Sequence, residues 1–499
     1  MQKTIAKYSP MWWAASVASL CLVFALSSCG ATVTEDAAET STETETVEVA
    51  DAAAEAESSE ETTAEVAPEA EAETVAAADL PTKDSITVSE TYSDDTDGGH
   101  AILADGTTDD YANVAVEKTG ESDGDEADFY GENASVFATN GATLTLSEIV
   151  VESDGTHANG VFSYGEGTTV NISDSYIETS GNCSGGLMTT GGGTMNASNL
   201  NIATSGNSSA AIRSDRGGGI VTVDGGSYVT SGTGSPVIYS TADITVNDSY
   251  LESTASQGIV VEGQNSVTLN DDTVVADNNT KNGDKSDYYQ AVMIYQSMSG
   301  DADEGTASFE MNGGSLTNKN GDVFFVNNTV CTINLSGAEI VNEDADGVFL
   351  RAEAAGWGSE GSNGGQVDLN ASGQVIDGDM VVDEVSNLNL YLTDSSAFTG
   401  AINPDGQAGE VYVELADDST WTLTGDSYIT SLTCDAGAID TNGYTLYVNG
   451  EAYDGSSAST GTAVEHTASS GGMGEGGMEE PPGGEGGPGE GGEPPAKPE

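Results

Sequence analysis

The two arginines of the sequence AIRSDRGGG, Arg213 and Arg216, are the first candidates for a chemical role. The chain contains 83 acidic and only 11 basic residues, and its formal net charge is −72, so a guanidinium is rare here. An arginine can bind a carboxylate with two parallel hydrogen bonds. The two side chains therefore either pair with neighbouring acids, Asp215 above all, or bind the carboxylate of a ligand.

The sequence GDADEG is the best candidate for a metal site. Asp301, Asp303 and Glu304 stand in a turn bounded by glycines, and alternating oxygen ligands of this kind suit Ca²⁺. The full twelve-residue calcium loop is absent, so a solvated acidic loop is the alternative interpretation. The sequence indicates no other cofactor.

Aromatic residues in two insertions are candidates for ligand binding. Trp357 lies in the sequence GWGSEGSNGGQ, where its indole either stacks on the face of a sugar ring or folds back onto the protein. Tyr288 and Tyr289 lie in a second insertion, residues 279–290. We expect these three side chains to contribute to a binding surface.

The sequence contains no recognisable catalytic constellation. A glycoside hydrolase needs carboxylates held about 5–10 Å apart across a cleft, which abundant aspartates do not by themselves indicate. A uronate lyase needs an acidic Ca²⁺ cluster and an unhindered Arg or Lys, and basic residues are scarce. His100 and His157 are isolated, which favours structural or solvated roles. We therefore predict a protein that is not an enzyme, with a polysaccharide lyase or hydrolase as the alternative.

The acidic composition argues against nucleic acid as a partner, and the N-terminal residues predict attachment to a membrane. A strongly acidic protein is repelled by phosphate backbones, so we expect no nucleic-acid binding. Residues 1–28 have the basic start and short apolar core of a signal peptide, followed by Cys29 in the sequence LSSC. LSSC resembles the bacterial lipobox, which implies lipidation of Cys29 and an anchor at the extracellular face of the bacterial cell membrane.

Composition divides the rest of the chain into three regions. Residues 29–84 combine the lipidated cysteine with a low-complexity acidic stretch, which we predict to be a disordered spacer. Residues 455–499 are rich in Gly, Glu and Pro and are predicted to be a disordered tail. Residues 85–454 are predicted to form the folded domain between them.

The folded region repeats a triplet in which two apolar residues flank a polar one. The copies begin at Leu144, Val170, Met195, Val221, Ile244, Val267, Phe309, Ile333, Val367, Leu390 and Val413. Most steps are 23–26 residues, three short strands fit each period, and no helical periodicity is present. This pattern predicts an all-β fold, a right-handed parallel β-helix of about 13 coils stacked at about 4.8 Å.

The same repeat predicts an apolar stripe on the outside of the coils. In three windings we place a valine inward, so the phenylalanine that follows it should point outward. These phenylalanines are Phe162, Phe324 and Phe349. Long exposed apolar surfaces mark an interaction site or need a cover. The stripe is thus a candidate binding surface. The alternatives are a cover formed by the chain's own loops and a strand twist that turns both residues of a pair inward.

Four segments, AIRSDRGGG, VMIYQSMSGDADEG, GWGSEGSNGGQ and WTLTGDSYITS, resemble a family of secreted right-handed parallel β-helix proteins of anaerobic Gram-positive bacteria. The resemblance covers roughly residues 85–454 and implies the pectin-lyase-like architecture. The family has no assigned activity, so the resemblance implies a fold and a location but no catalytic residues.

Together these features predict a lipid-anchored cell-surface protein with a non-catalytic binding or adhesive role toward a glycan or a surface partner. The alternatives are a carbohydrate-active enzyme, a Ca²⁺-dependent glycan-binding protein and a structural component of the surface coat. The sequence leaves the oligomeric state open.

Overall fold

The computed structural model describes residues 80–281, 285–416 and 418–466. The predicted signal peptide, Cys29, most of the acidic spacer and the tail from residue 467 lie outside these residues. The described chain winds into a parallel β-helix, as the repeat predicts. Short strands on three faces pair in parallel with the equivalent strands of the preceding and following windings.

Face 1 carries the repeated triplet. Its strands are β3 (Thr108–Ala112), β6 (Thr143–Ser147), β9 (Thr169–Ser173), the first halves of β12 (Gly193–Thr204) and β14 (Gly219–Thr230), β16 (Asp243–Asn247), β19 (Ser266–Asn270), β22 (Thr306–Asn312), β25 (Thr329–Ser336), β28 (Gly365–Ser372), β31 (Asn387–Thr393), β33 (Glu410–Leu415) and β36 (Ser431–Cys434). These thirteen rungs of the described chain match the predicted number of coils. At about 4.8 Å per rung, the stack is about 60 Å long.

Face 2 follows face 1 in each winding. Its strands are β1 (Glu90–Asp94), β4 (Val114–Lys118), β7 (Val150–Ser153), β10 (Tyr176–Thr179), the second halves of β12 and β14, β17 (Tyr250–Ser253), β20 (Thr273–Ala276), β23 (Ser315–Asn318) and β26 (Glu339–Asn342). A separate four-stranded ladder occupies the same place in the last windings: β29 (Val375–Asp377), β32 (Ala397–Thr399), β34 (Thr420–Thr422) and β37 (Ile439–Asp440).

Face 3 closes each winding and carries the candidate site. Its strands are β2 (Ile102–Asp105), β5 (Val136–Thr139), β8 (Val161–Tyr164), β11 (Leu187–Thr190), β13 (Ile212–Ser214), β15 (Ile238–Ser240), β18 (Ile259–Glu262), β21 (Gln290–Tyr295), β24 (Asp322–Asn327), β27 (Leu350–Ala352) and β30 (Met380–Val382). One short helix, α1 (Asp125–Phe129), lies between β4 and β5.

The core is a column of aliphatic side chains inside the windings. Val170 pairs with Met195, which pairs with Val221, and the ladder continues to Val267. Val170 and Val267 are fully buried, and Val221 is 1% exposed. In strands such as β9 and β19, buried residues alternate with half-buried ones, because successive side chains of a strand point to opposite faces.

A corner between faces 2 and 3 repeats the sequence Gly-x-x-Ser in residues 180–184, 205–209 and 231–235, which we call the serine–glycine corner. The glycines stack so closely that a Cβ added to Gly206 would lie 1.8 Å from the carbonyl oxygen of Gly181. A Cβ on Gly232 would lie at the same distance from the Gly206 oxygen. Ser235 Oγ donates to that oxygen at 2.8 Å. The corner therefore requires glycine, and serine supplies a donor to each stacked carbonyl group.

The folded chain continues past residue 454, where we predicted the domain to end. A short sheet contains β35 (Ser427–Ile429), β38 (Leu446–Val448) and β39 (Glu451–Ala452). Strand β40 (Ala458–Thr460) then pairs antiparallel with β36. Asn389 exchanges hydrogen bonds with the backbone of Val464, at 3.0 Å and 2.8 Å. Residues 458–466 thus belong to the folded structure rather than to a disordered tail.

Candidate functional site

The outward positions of face 3 form a ladder of mostly apolar side chains, which we call the outer ladder. Strand pairing places in it Leu103, Phe137, Phe162, Met188, Arg213, Tyr239, Val260, Met293, Phe325, Arg351 and Val381. Leu103 is 48% exposed and Tyr239 is half-buried, whereas the others are buried. Six of its apolar members belong to two clusters separate from the central core: Phe137, Phe162 and Met188 in one, and Val260, Met293 and Phe325 in the other.

The predicted apolar stripe is wrong for two of its three residues. Phe162 belongs to the outer ladder, but Phe324 and Phe349 pack in the central core, with ring centroids 5.4 Å apart. Phe324, not the valine before it, pairs with the inward residue Val292. A shift of one residue exchanges the two faces of a strand, which explains the error. All three phenylalanines are at most 1% exposed, so they form no open binding surface.

The chain's own covering segment, residues 119–135, packs over the first part of the outer ladder. Tyr130 packs edge-on against Tyr164, with ring centroids 5.7 Å apart. Thr190 Oγ1 donates a hydrogen bond to the carbonyl oxygen of Phe129 at 2.6 Å. These contacts hold α1 over face 3 and account for the complete burial of Phe162.

Arg216 connects the covering segment to the stacked windings of the β-helix. Its guanidinium carbon lies 3.7 Å from the centre of the Phe129 ring. Its Nη1 donates to Asp125 Oδ2 at 3.3 Å, and its Nε donates to Asp301 Oδ1 at 2.7 Å. Arg216 therefore joins two acidic residues that are far apart in sequence.

The predicted calcium loop is held by this arginine. Asp301 is 4% exposed and accepts from Arg216, whereas Asp303 and Glu304 are exposed. Asp303 Oδ2 accepts from Gln264 Nε2 at 3.4 Å. In the described chain the three carboxylates do not converge on one point. A Ca²⁺ ion would also have to share the Asp301 carboxylate with a guanidinium, so the structure does not favour this metal site.

Three buried residues with potential metal-ligand atoms cluster at α1, but Cys183 is disulfide-bonded, so its sulfur is not available to a metal. One ligand atom each of Asp128, His157 and Cys183 lies within 4.8 Å of the others, and all three residues are buried. His157 Nε2 lies 2.7 Å from Asp128 Oδ1, and its Nδ1 lies 2.9 Å from the carbonyl oxygen of Ser122. Both ring nitrogens thus contact oxygens of the covering segment. A metal at Nε2 would have to replace the bond to Asp128, and the visible role of His157 is to hold this segment.

In its middle part, the outer ladder borders a cleft of about 760 Å³, including the solvent at its open mouth. Arg213 and Tyr239 line it from the ladder, and Tyr288, Tyr289 and Trp357 line it from the two insertions. The structure therefore brings together four of the five residues predicted to bind a ligand: Arg213, Tyr288, Tyr289 and Trp357. The fifth, Arg216, lies outside the cleft, in the contacts described above.

Trp357 both folds onto the rod and lines the cleft. It is 4% exposed, and its ring centroid lies 5.1 Å from that of Tyr295. The backbone N–H of Gly356 donates to the carbonyl oxygen of Lys285 at 2.7 Å, which joins the two insertions. Trp357 is therefore folded back onto the protein, and it lines the cleft from that position.

Arg351 positions the tyrosine at the mouth of the cleft. Its guanidinium carbon lies 3.6 Å from the centre of the Tyr288 ring. Its Nε donates to Asp322 Oδ2 at 2.6 Å, and its Nη1 donates to Glu353 Oε2 at 3.3 Å. Tyr288 remains 37% exposed. A buried ion pair therefore supports an aromatic ring that is open to solvent.

Two buried polar atoms of lining residues have no hydrogen-bond partner within the described chain. They are the indole Nε1 of Trp357 and the amide Oε1 of Gln290, which is 2% exposed. A buried donor or acceptor without a partner costs about 1–3 kcal/mol. Both atoms are shielded from solvent in this conformation, so they lie behind the surface of the cleft.

A buried polar network lies beside Tyr239. Tyr239 and Tyr295 both donate to Glu262, the latter at 3.0 Å. Arg213 Nη2 donates to Asp215 Oδ2 at 2.9 Å. Burial raises the pKa of Glu262, and it also raises the pKa of Asp215, whose rise the Arg213 guanidinium opposes. This network fixes the ladder side of the cleft, because each acidic group is bonded to a donor from the ladder.

No family model matches the chain, and neither the curated proteins nor the solved structures contain a match to it. Among the described residues, no helix has the length and apolar character that a membrane span requires.

Sequence reasoning missed Tyr239 and Gln290 as lining residues. Tyr239 occupies the outward position of face 3 in its winding, because its neighbour Ile238 pairs with the inward residue Ile212. Gln290 stands at the end of the 279–290 insertion, which was recognisable as an insertion, but its burial depends on how that insertion folds. Because Val237 and Ile238 are both apolar, residue type alone does not show which of them is the inward residue.

Proposed function

We propose that this protein is a lipid-anchored surface protein that binds saccharides without cleaving them, through the cleft on face 3. The single observation that carries the proposal is the composition of that cleft. Tyr239, Tyr288, Tyr289 and Trp357 line it together with amide and hydroxyl side chains. Aromatic rings provide flat apolar faces for sugar rings, and fixed polar groups determine orientation.

The non-catalytic part of the proposal is supported by the state of the carboxylates near the cleft. None of the sixteen described lining residues is acidic. The nearby acids Asp215 and Glu262 are at most 1% exposed and already accept hydrogen bonds. A hydrolase needs two carboxylates that reach the scissile bond from opposite sides.

The cellular part of the proposal is supported by the sequence. The LSSC sequence ending at Cys29 and the acidic residues 30–84 fit an anchor with a spacer that holds the rod away from the membrane. The resemblance to secreted β-helix proteins of Gram-positive bacteria agrees with this location.

We expect the full chain to bind members of a saccharide array, and two substitutions to weaken that binding. Tyr289→Ala should lower affinity about tenfold, because it removes an aromatic wall of the cleft. Trp357→Phe should lower affinity about fivefold, because the smaller ring gives the cleft less aromatic surface. Isothermal titration calorimetry with the strongest array ligand measures both changes.

Tyr444→Ala is the matched control, because Tyr444 is 45% exposed and lies outside the cleft. Its affinity should equal that of the unchanged protein. A chain that binds no saccharide on the array would refute the proposed function. Shortened products accumulating during incubation with the bound glycan would refute its non-catalytic character.

A further inference from the structure

The cleft differs in charge from the rest of this acidic protein. The chain has 83 acidic residues, yet the sixteen described lining residues include two bases and no acid. At a formal net charge of −72, the molecule repels anions over most of its surface. The absence of acids among the described lining residues is therefore an exception that needs a reason.

Two lysines at the cleft carry charges that the described chain leaves without an ion pair. Within the described residues, Lys83, Lys118 and the three arginines are all paired with carboxylates. Lys281 lines the cleft, and its Nζ donates to the carbonyl oxygen of Ser286 at 2.8 Å. Lys285 Nζ lies 5.7 Å from the centre of the Trp357 ring. These two ammonium groups flank the aromatic rings that line the cleft.

From this arrangement we infer that the ligand is an acidic saccharide, in which a carboxylate or a sulfate ester faces Lys281 and Lys285. The inference rests on the proposed function and names its ligand class. An ammonium group is a compact point charge that binds either acid, whereas it gains little from a neutral sugar. The rings of Tyr289 and Trp357 pack against the sugar faces of the ligand.

The test compares three saccharides of the same length with the full chain by calorimetry. They are a hexuronate trisaccharide, its neutral form with each carboxylate reduced to a hydroxymethyl group, and a neutral trisaccharide carrying one sulfate ester. We expect at least one acidic form to bind about tenfold more tightly than the neutral form, because one charge-assisted hydrogen bond is worth about that factor. The acidic form that binds best identifies the acid.

The variants separate charge recognition from general binding. The double variant Lys281→Gln, Lys285→Gln should bind the acidic and neutral forms equally, whereas Lys319→Gln should keep the tenfold preference. Lys319 is an exposed lysine without an ion pair in the described chain, and it lies outside the cleft. Equal binding of acidic and neutral forms by the unchanged protein would overturn the inference and leave saccharide binding intact. A preference that survives in the double variant would also overturn it, and the absence of any saccharide binding would overturn the proposed function itself.

Discussion

Gly206→Ala should lower the free energy of unfolding by about 3 kcal/mol, at the upper end of what overpacking costs. The new Cβ would lie 1.8 Å from the carbonyl oxygen of Gly181, and that oxygen belongs to the backbone of the preceding winding. This oxygen accepts a hydrogen bond from Ser209 Oγ at 3.1 Å, and the bond would be lost if the oxygen moved away from the new Cβ. Urea unfolding measures the effect, and amide hydrogen exchange shows whether the windings around residues 180–240 open first.

Gly425→Ala is the control for this glycine stack. A Cβ at Gly425 would meet its nearest atom, the Ala401 Cβ, at 3.4 Å, which is an ordinary contact. The free energy of unfolding of this variant should differ from that of the unchanged protein by no more than about 0.5 kcal/mol. If both alanine variants were equally stable, the close stacking at the serine–glycine corner would not be a requirement of the fold. Windings of a repeat protein open separately, so the hydrogen exchange should localise the damage to neighbouring windings.

The stacking of the windings could be predicted because the sequence states its period directly. Face 1 needs two inward residues separated by one outward residue in every winding, and triplets such as Val170–Ile172 and Val267–Leu269 meet that need without any tertiary information. The serine–glycine corner was also readable, since Gly-x-x-Ser recurs at the same place in successive windings. Its physical meaning, a carbonyl group in the space of a missing Cβ, appears only when the windings are stacked.

The register on face 3 could not be predicted in the same way. Its strands are as short as three residues, and the corner before each strand also contributes buried side chains. Val323 and Phe324 both lie in β24 and are fully buried in the central core, so apolar character alone does not show which of them pairs with the inward residue Val292. On face 3, a shift of one residue decides whether a side chain points into the core or toward the outer ladder.

The cleft was partly predictable from composition, because insertions and rare residues were the right places to examine. Arg213 lines the cleft, but its guanidinium pairs with buried Asp215, as the other interpretation of the two arginines held. The convergence of the 279–290 insertion with Trp357 depends on the Lys285–Gly356 backbone hydrogen bond, which leaves no trace in residue types. The position of a site formed by two loops from different windings depends on how those loops fold, and the local periodicity of the sequence does not show this.

Arg351→Met should lower the free energy of unfolding by about 3–5 kcal/mol and weaken ligand binding as well. The stability loss arises because Asp322, which is 2% exposed, would keep a buried charge without its guanidinium partner. The binding loss arises because Tyr288 would lose the group that lies 3.6 Å from its ring centre. Urea unfolding measures the first effect, and calorimetry with the saccharide that binds the unchanged protein best measures the second.

A double variant separates these two consequences of losing Arg351. Adding Asp322→Asn to Arg351→Met removes the unpaired charge. In the unchanged protein the Val348 N–H donates to Asp322 Oδ1 at 2.9 Å, and the amide oxygen of the asparagine can accept the same hydrogen bond. Most of the lost stability should therefore return. Binding should stay weak, because neither substitution restores the cation beside Tyr288. Recovery of both properties would show that Arg351 serves only to neutralise Asp322, whereas recovery of stability alone would establish it as the residue that positions Tyr288 at the mouth of the cleft.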